Sequence, residues 1–295
     1  MKPSILFILI FTTISITYSQ FDKFVFQLGI GGVDPYENLK GTYYRIVYDR
    51  GIPLIAPDTN LYSTHYGAKP GLYFYGKAKV NFDKYNIFRA MIDLSYSTFN
   101  TFEPSRSGNI ERVVHIDTTT YITPVSTTFN YTFNVFSIGL GFEVAPIAFT
   151  NVISPFIGGN ISFNAFNSRL SRTENYTDSI SFNINDYRIG FNIDLGIEAK
   201  FSKMVGAVIG YKYDFGNVWL KNNNSGIADA YDWGSSNAKL NDEGGPYFSS
   251  IQSPLISSDL YLLNGKQKKI NWGTFYLGIN IYFDTHTKTK PPNKK

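Results

Sequence analysis

The sequence predicts an all-β protein, an antiparallel up-and-down transmembrane β-barrel of about eight strands with its long loops at one end. Three observations lead there. The stretch from Thr274 to Phe283 alternates without interruption, with Phe275, Leu277, Ile279, Ile281 and Phe283 on one face and Thr274, Tyr276, Gly278, Asn280 and Tyr282 on the other. A strand of that length with a continuous apolar face matches the roughly 9–11 residues a tilted strand needs to cross a bilayer. Seven further segments repeat the pattern, and the connections among the eight alternate between long and short in chain order.

At the beginning of the chain, Lys2 precedes an apolar run from Ile5 to Ile16 and then Thr17-Tyr18-Ser19, which places small residues before a cut at Gln20. That is the pattern of a secretory signal peptide. Residues 1–19 are therefore expected to be a signal peptide, 20–283 the barrel and 284–295 a basic periplasmic tail. The apolar run is shorter than the roughly 20 residues of a spanning helix. With no Cys in the chain, neither a lipid-anchored cysteine nor a disulfide framework is expected.

The first strand, Phe24 to Val33, sets Phe24, Phe26, Leu28 and Ile30 against Val25, Gln27, Gly29 and Gly31. The second, Gly71 to Phe82, sets Leu72, Phe74, Ala78, Val80 and Phe82 against Tyr73, Tyr75, Lys77, Lys79 and Asn81. In the third, Ile87 to Phe99, Phe88, Ala90, Ile92, Leu94 and Tyr96 oppose Arg89, Met91, Asp93 and Ser95. The fourth spans about Phe129 to Ala145, and its change of phase between Val135 and Phe136 predicts a bulge. Pro155 to Phe166, Tyr187 to Lys200 and Val205 to Phe215 supply the fifth, sixth and seventh, and Thr274 to Phe283 the eighth. An even count suits a closed antiparallel barrel.

Between these strands lie a long connection (34–70), a tight one (83–86), a long one (100–128), a short one (146–154), a medium one (167–186), a tight Ser202-Lys203-Met204, and a very long one (216–271). The long ones all fall at one end and both termini at the other, the asymmetry of short periplasmic turns and longer extracellular loops. A soluble secreted barrel or sandwich, such as a lipocalin, is the rival. It would turn the apolar series inward, but soluble strands average about 5–6 residues. Composition agrees with a wall in lipid: aromatics and charged residues each make up 17%, against roughly 25% charged in soluble domains. A net charge of +4, dispersed along the chain, does not suggest a nucleic-acid binder.

Tyr276, Gly278, Ile281 and Phe283 fit a polar-x-Gly-x-x-apolar-x-aromatic pattern. On it the chain resembles the small eight-stranded outer-membrane β-barrels grouped with opacity proteins and OmpX, and the likeness covers nearly the whole mature chain as architecture. The resemblance implies a place in the cell outer membrane and recognition of these four residues by the barrel-assembly machinery. The chain departs from the commonest form by continuing past Phe283, from Asp284 to Lys295.

If the apolar face meets lipid, the lumen receives Lys77, Lys79, Arg89, Asp93, Glu143, Arg188, Asp194, Glu198, Lys200, Lys212 and Asp214. Opposite charges that cannot face lipid are expected to pair as a salt-bridged plug rather than a proton or ion path. The histidines are His65, His115 and His286. His115-Ile-Asp117 could orient a base at the rim, but no nucleophile motif accompanies it, and an ordinary strand extension over Val113 to Thr123 is expected. Asp229, Asp232, Asp242 and Glu243 lack the spacing of a calcium loop and read as a solvated acidic loop. Lys266, Lys268 and Lys269 with Trp272 form a candidate lipopolysaccharide contact: an aromatic at the bilayer interface beside cations that reach phosphate. The tail Lys288, Lys290, Lys294 and Lys295, with Pro291-Pro292, is expected to be disordered.

No catalytic residue, cofactor or metal is assigned, and an enzyme is not expected. Outer-membrane lipid and lipopolysaccharide, the assembly machinery and an extracellular ligand or export partner are the expected partners. The expected role is structural or one of surface recognition and adhesion, carried by the extracellular loops. The alternatives are an outer-membrane component of a protein export machine and a rim enzyme using His115.

Overall fold

The computed structural model describes residues 23–49, 51–83, 87–116, 119–145, 153–174, 178–202, 204–223, 235–249 and 261–284. In chain order its strands are β1 (Lys23–Glu37), β2 (Tyr44–Asp49), β3 (Ile52–Pro57), β4 (Gly71–Asn81), β5 (Phe88–Phe99), β6 (Arg106–Ile116) and β7 (Thr119–Val144). They continue with β8 (Ile153–Glu174), β9 (Asp178–Lys200), β10 (Val205–Trp219), β11 (Ser235–Ala238), β12 (Gly245–Ser249), β13 (Tyr261–Gly265) and β14 (Ile270–Asp284). Eight of these close in the order β1-β4-β5-β7-β8-β9-β10-β14, each neighbour antiparallel, with β14 paired back onto β1. The eight alternating segments of the sequence are these eight strands. β6 extends the wall as a hairpin on β7, β11 adds to β9, and β2–β3 and β12–β13 are separate hairpins in the long connections.

The pairing register fixes the barrel's dimensions. From Phe24 of β1, successive partners are Val80, Ala90, Phe142, Gly159, Ile193, Tyr213 and Gly273, and the path returns to β1 at Asp34, ten positions further on. With about 3.3 Å per residue and about 4.8 Å between strands, that stagger tilts the strands by about 41° and gives a wall radius of about 8 Å. Each residue then rises about 2.5 Å along the barrel axis. A wall this narrow has room inside for side chains and none for an aqueous channel.

The alternation points outward where the sequence is apolar. On β8 the exposed series Ile153, Ile157, Ile161 and Phe163 covers about 25 Å of axial height, the thickness of the belt such barrels present to lipid. Phe275, Leu277, Ile279 and Phe283 on β14 stand outward too, while Tyr276 and Asn280 are buried inside.

The bulge expected between Val135 and Phe136 is not there. Pairing runs unbroken from Phe99↔Phe133 to Phe88↔Val144 on one side of β7 and from Thr127↔Glu174 to Val144↔Ile157 on the other. Parity holds along the strand; the chemistry inverts. Phe129, Tyr131, Phe133 and Val135 point inward, whereas Phe136, Ile138, Leu140 and Phe142 point outward. Above this line the barrel has an apolar inside and a polar outside, as a soluble protein would. β9 crosses the same line between Ile184, buried inside, and Tyr187, exposed outside. Among the described ladders of the wall, the register shift lies instead on β10, between Phe215 and Trp219.

The same inversion explains why β7, β8 and β9 run 26, 22 and 23 residues, well beyond the segments legible as membrane strands. The fifth strand continues from Phe166 to Glu174, and the sixth begins at Asp178.

Candidate functional site

The lumen is closed in two storeys. In the lower one, Lys79 of β4 and Arg89 of β5 share the carboxylates of Glu143 on β7 and Glu198 on β9. Lys79 Nζ lies 2.8 Å from each, and Arg89 Nη1 lies 2.7 and 2.9 Å away. Further up, Lys77 pairs with Asp194, whose other oxygen accepts a hydrogen bond from the Tyr276 hydroxyl at 2.6 Å. Lys212 lies 3.5 Å from both Asp93 and Asp214 and sits over the Tyr73 ring. Strand parity leaves these charges no route to solvent, and a bare ion in such a place costs several kcal/mol. Each is matched instead by an opposite charge, and Lys77–Asp194 ties walls that are not neighbours in the sheet. This is the salt-bridged plug expected from the sequence.

The upper storey is aromatic. The connection 38–70 folds into the mouth and buries Leu39, Tyr43, Leu61, Tyr62, Tyr66 and Ala68 against Phe129, Tyr131, Phe133, Phe166 and Phe182 of the wall. Tyr43 stacks on Tyr131 at 5.4 Å, the Tyr62 hydroxyl is 2.8 Å from Ser168 Oγ, and the Tyr131 hydroxyl donates to the Tyr66 carbonyl. Tyr62 has a φ of 64°, a left-handed conformation that costs a non-glycine residue about 1–2 kcal/mol. Its backbone NH bonds to the His65 carbonyl at 2.7 Å and its ring packs 5.2 Å from Phe182, which hold it there. Gly41 permits the fold-back, since a Cβ there would lie 2.3 Å from His65 Nδ1. Burial lowers the pKa of His65, with Asp58 opposing from 3.6 Å, and burial pushes the Tyr43 hydroxyl up to about 12.

The last long connection clasps the first. Asp242 accepts from Arg188 Nε and Nη2 at 2.9 and 2.7 Å, from Asn217 Nδ2 at 3.0 Å and from the Asn222 backbone NH at 3.0 Å. It is fully buried, so its place in a solvated acidic loop is corrected. Asp229 and Asp232 lie outside the described residues. Lys268 Nζ donates to the carbonyls of Ser63 and Lys266 at 3.3 and 3.0 Å and lies over the Tyr66 ring. Burial holds its pKa down at about 8, with Asp242 pulling the other way.

Two members of the candidate lipopolysaccharide contact therefore face inward. Lys268 is buried in the cap, and Trp272 is 1% exposed, edge-on to Phe99 at 6.2 Å and to Phe166 at 6.4 Å. The reason is parity: Trp272 shares the face of Thr274 and Tyr276, the lumen side of β14. Lys266 and Lys269 are exposed, and Lys269 Nζ is 3.7 Å from Glu37.

The four residues of the terminal pattern each have a structural place. Tyr276 belongs to the ion network. Gly278 makes room for Tyr75, since a Cβ there would come within 2.5 Å of its hydroxyl. Ile281 lies opposite Phe26 on the outer face, and Phe283 stands outward with its ring 6.2 Å from that of Phe24. His115 lies on β6 opposite Thr120; Asp117, His286 and the tail from 285 lie outside the described residues. Among the described residues no cluster of His, Asp or Glu is arranged to hold a metal ion. Sequence reasoning missed the aromatic cap, whose signal was Phe99 and Phe133 on the lumen parity.

No protein-family model and no curated protein matches the sequence. Among solved structures, the chain is similar to Neisserial surface protein A, at 11% identity and a TM-score of 0.42, with 88% of this chain and 97% of that one covered. It is similar to OprG from Pseudomonas aeruginosa at 10% identity and a TM-score of 0.43, covering 90% and 98%. Ail, the attachment invasion locus protein of Yersinia pestis, follows at 10% and 0.34, covering 89% and 99%. At these identities and scores the likenesses do not bear on activity. The class rests on the molecule itself: a closed wall with an apolar belt outside and paired charges inside has lipid as its solvent. The protein is an outer-membrane β-barrel.

Proposed function

We propose that the protein serves at the cell surface as a structural or recognition and adhesion barrel, with its working surface on the extracellular loops and no reaction to catalyse. The observation that carries this is the doubly closed lumen, ion network below and aromatic cap above, which supports a role outside the bore rather than passage through it. An export channel would need a bore that opens. The first long connection carries the β2–β3 hairpin, where Ile46 and Tyr48 are exposed, and Phe102 of the next long connection is 70% exposed. Exposed apolar side chains at the long-loop end suit a contact surface.

Two measurements test the proposal. In planar bilayers the protein is expected to show no steady conductance, and stable openings of porin size would place its function in the lumen. Cells displaying the protein should adhere to an extracellular protein or glycan surface, and the triple change Ile46→Ser, Tyr48→Ser, Phe102→Ser should abolish the adhesion at equal display. Full adhesion by that variant would rule out this surface.

A further inference from the structure

We propose that the free edge of β6 pairs with the β6 edge of a second copy of this chain in a facing membrane, so that the two membranes are held together. This goes beyond the loop contact proposed above and does not depend on it. Among the described residues β6 is bonded to β7 alone, from Arg106↔Phe129 to Ile116↔Thr119. Only its lower end meets the β2–β3 hairpin: a Cβ on Gly108 would lie 3.5 Å from Ile55, and Arg106 stands over the Tyr44 ring. From Asn109 to Ile116 the outer edge carries no ladder among the described residues. Exposed edges are commonly blunted with proline, as β3 is by Pro53 and Pro57. β6 has no proline, and its Ile110, Val113, Val114 and Ile116 favour an extended chain.

Two residues separate Ile116 from Thr119, so these two form a hydrogen-bonded pair, and the alternate residues Glu111, Val113 and His115 turn their NH and C=O to the free edge. Two copies of one strand pair antiparallel about a twofold axis perpendicular to the sheet. With that axis at Val113, Glu111 falls opposite His115 of the second copy, Arg112 opposite Val114 and Ile110 opposite Ile116, and about six hydrogen bonds form. An axis at Arg112 would set cation against cation, one at Glu111 carboxylate against carboxylate, and one at Val114 would shorten the ladder. β6 continues the barrel wall along β7, and that wall stands on the membrane. An axis perpendicular to it lies parallel to the membrane plane and turns the second barrel upside down. Copies in one membrane share an orientation and cannot pair this way; copies in two facing membranes can. Val113 is paired with Ile122, which at about 2.5 Å of rise per residue stands about 35 Å above Phe136, so the two membranes would face each other about 70 Å apart.

The test uses the full-length protein in phosphatidylcholine vesicles, as two populations carrying different fluorophores. Two-colour co-clustering gives the rate of association, and electron cryomicroscopy gives the spacing of the joined membranes. Wild-type vesicles should cluster with each other and not with protein-free vesicles, at a spacing of about 70 Å. Val113→Pro, which removes the central NH of the free edge and keeps the bonds to β7, should slow clustering by about tenfold or more. His115→Glu, which sets a carboxylate opposite Glu111, should do the same, and adding Glu111→Lys to it should restore clustering. Heat-modifiable gel mobility confirms that each variant is folded. The triple change Ile46→Ser, Tyr48→Ser, Phe102→Ser should cluster as the wild type does, and its failure to do so would give the contact to the loop surface instead. No clustering of wild-type vesicles, a wild-type rate with Val113→Pro, equal clustering with protein-free vesicles, or a spacing below half of that expected would each overturn the edge pairing.

Discussion

An arginine placed on the lipid face should cost stability in proportion to its depth, and β9 supplies a ruler for this. Its outward series runs from Tyr187 at the inversion line to Ile197, which at about 2.5 Å of rise per residue spans about 25 Å. Ile193 lies about 15 Å below Tyr187, within about 3 Å of the middle of the belt, and Ile197 lies at its lower edge. Ile193→Arg should therefore destabilise the barrel by about 2–4 kcal/mol and Ile197→Arg by about 0–1 kcal/mol. The neighbouring Asn192 faces the lumen and donates to Asn160 Oδ1 at 2.6 Å. Asn192→Ala should cost only about 0.5–1.5 kcal/mol, the worth of one hydrogen bond. Urea unfolding in phosphatidylcholine vesicles, followed by tryptophan emission, measures all three. Equal costs at Ile193 and Ile197, or a neutral Ile193→Arg, would refute the depth assignment.

Three further outcomes are expected. Lys77→Met and Asp194→Leu should each cost about 3–5 kcal/mol by stranding a buried charge, while the double variant recovers most of the loss; additive costs in a double-mutant cycle would deny the pair its coupling. Lys268, held near 8 when folded against 10.5 unfolded, binds its proton more weakly in the native cap, so its contribution to stability should rise with pH between about 8 and 10.5 and be flat below. Hydrogen exchange at the Ser63 to Tyr66 amides reads this, and an unchanged slope in Lys268→Met would exclude it. Phe283→Ala should reduce surface display and leave unfolded protein in the periplasm, whereas deleting 284–295 should change little; the reverse pattern would move the assembly signal into the tail.

The eight wall strands were legible because lipid imposes one rule on every outward position of the belt. Phe275 to Phe283 shows it with little else superimposed. The closing register was not legible, since it depends on which strand pairs with which. Above the membrane the rule reverses, so Phe129 to Val135 carried the opposite phase on an unbroken ladder and imitated a bulge. Trp272 was misread for a related reason: tryptophan suits the interface in general, but its parity with Tyr276 had already turned it inward. Lys268 looked like a cation reaching lipid phosphate and Asp242 like a solvated loop charge. Their burial comes from the fold-back of residues 38–70, a long-range contact that local spacing does not encode.

On β7 one uninterrupted ladder is a membrane wall below Phe136 and a soluble-type wall above it. A single-cysteine scan of residues 126–144 on β7 checks this change of solvent position by position, and the chain has no Cys to interfere. With a fluorophore at each site, only even positions should be accessible from outside throughout. Lipid-borne quenchers should act at 136, 138, 140 and 142, and aqueous quenchers at 130, 132 and 134. Accessibility that moves to the odd positions above 136 would restore the bulge. Aqueous quenching at 136–142 would make the whole barrel a soluble one.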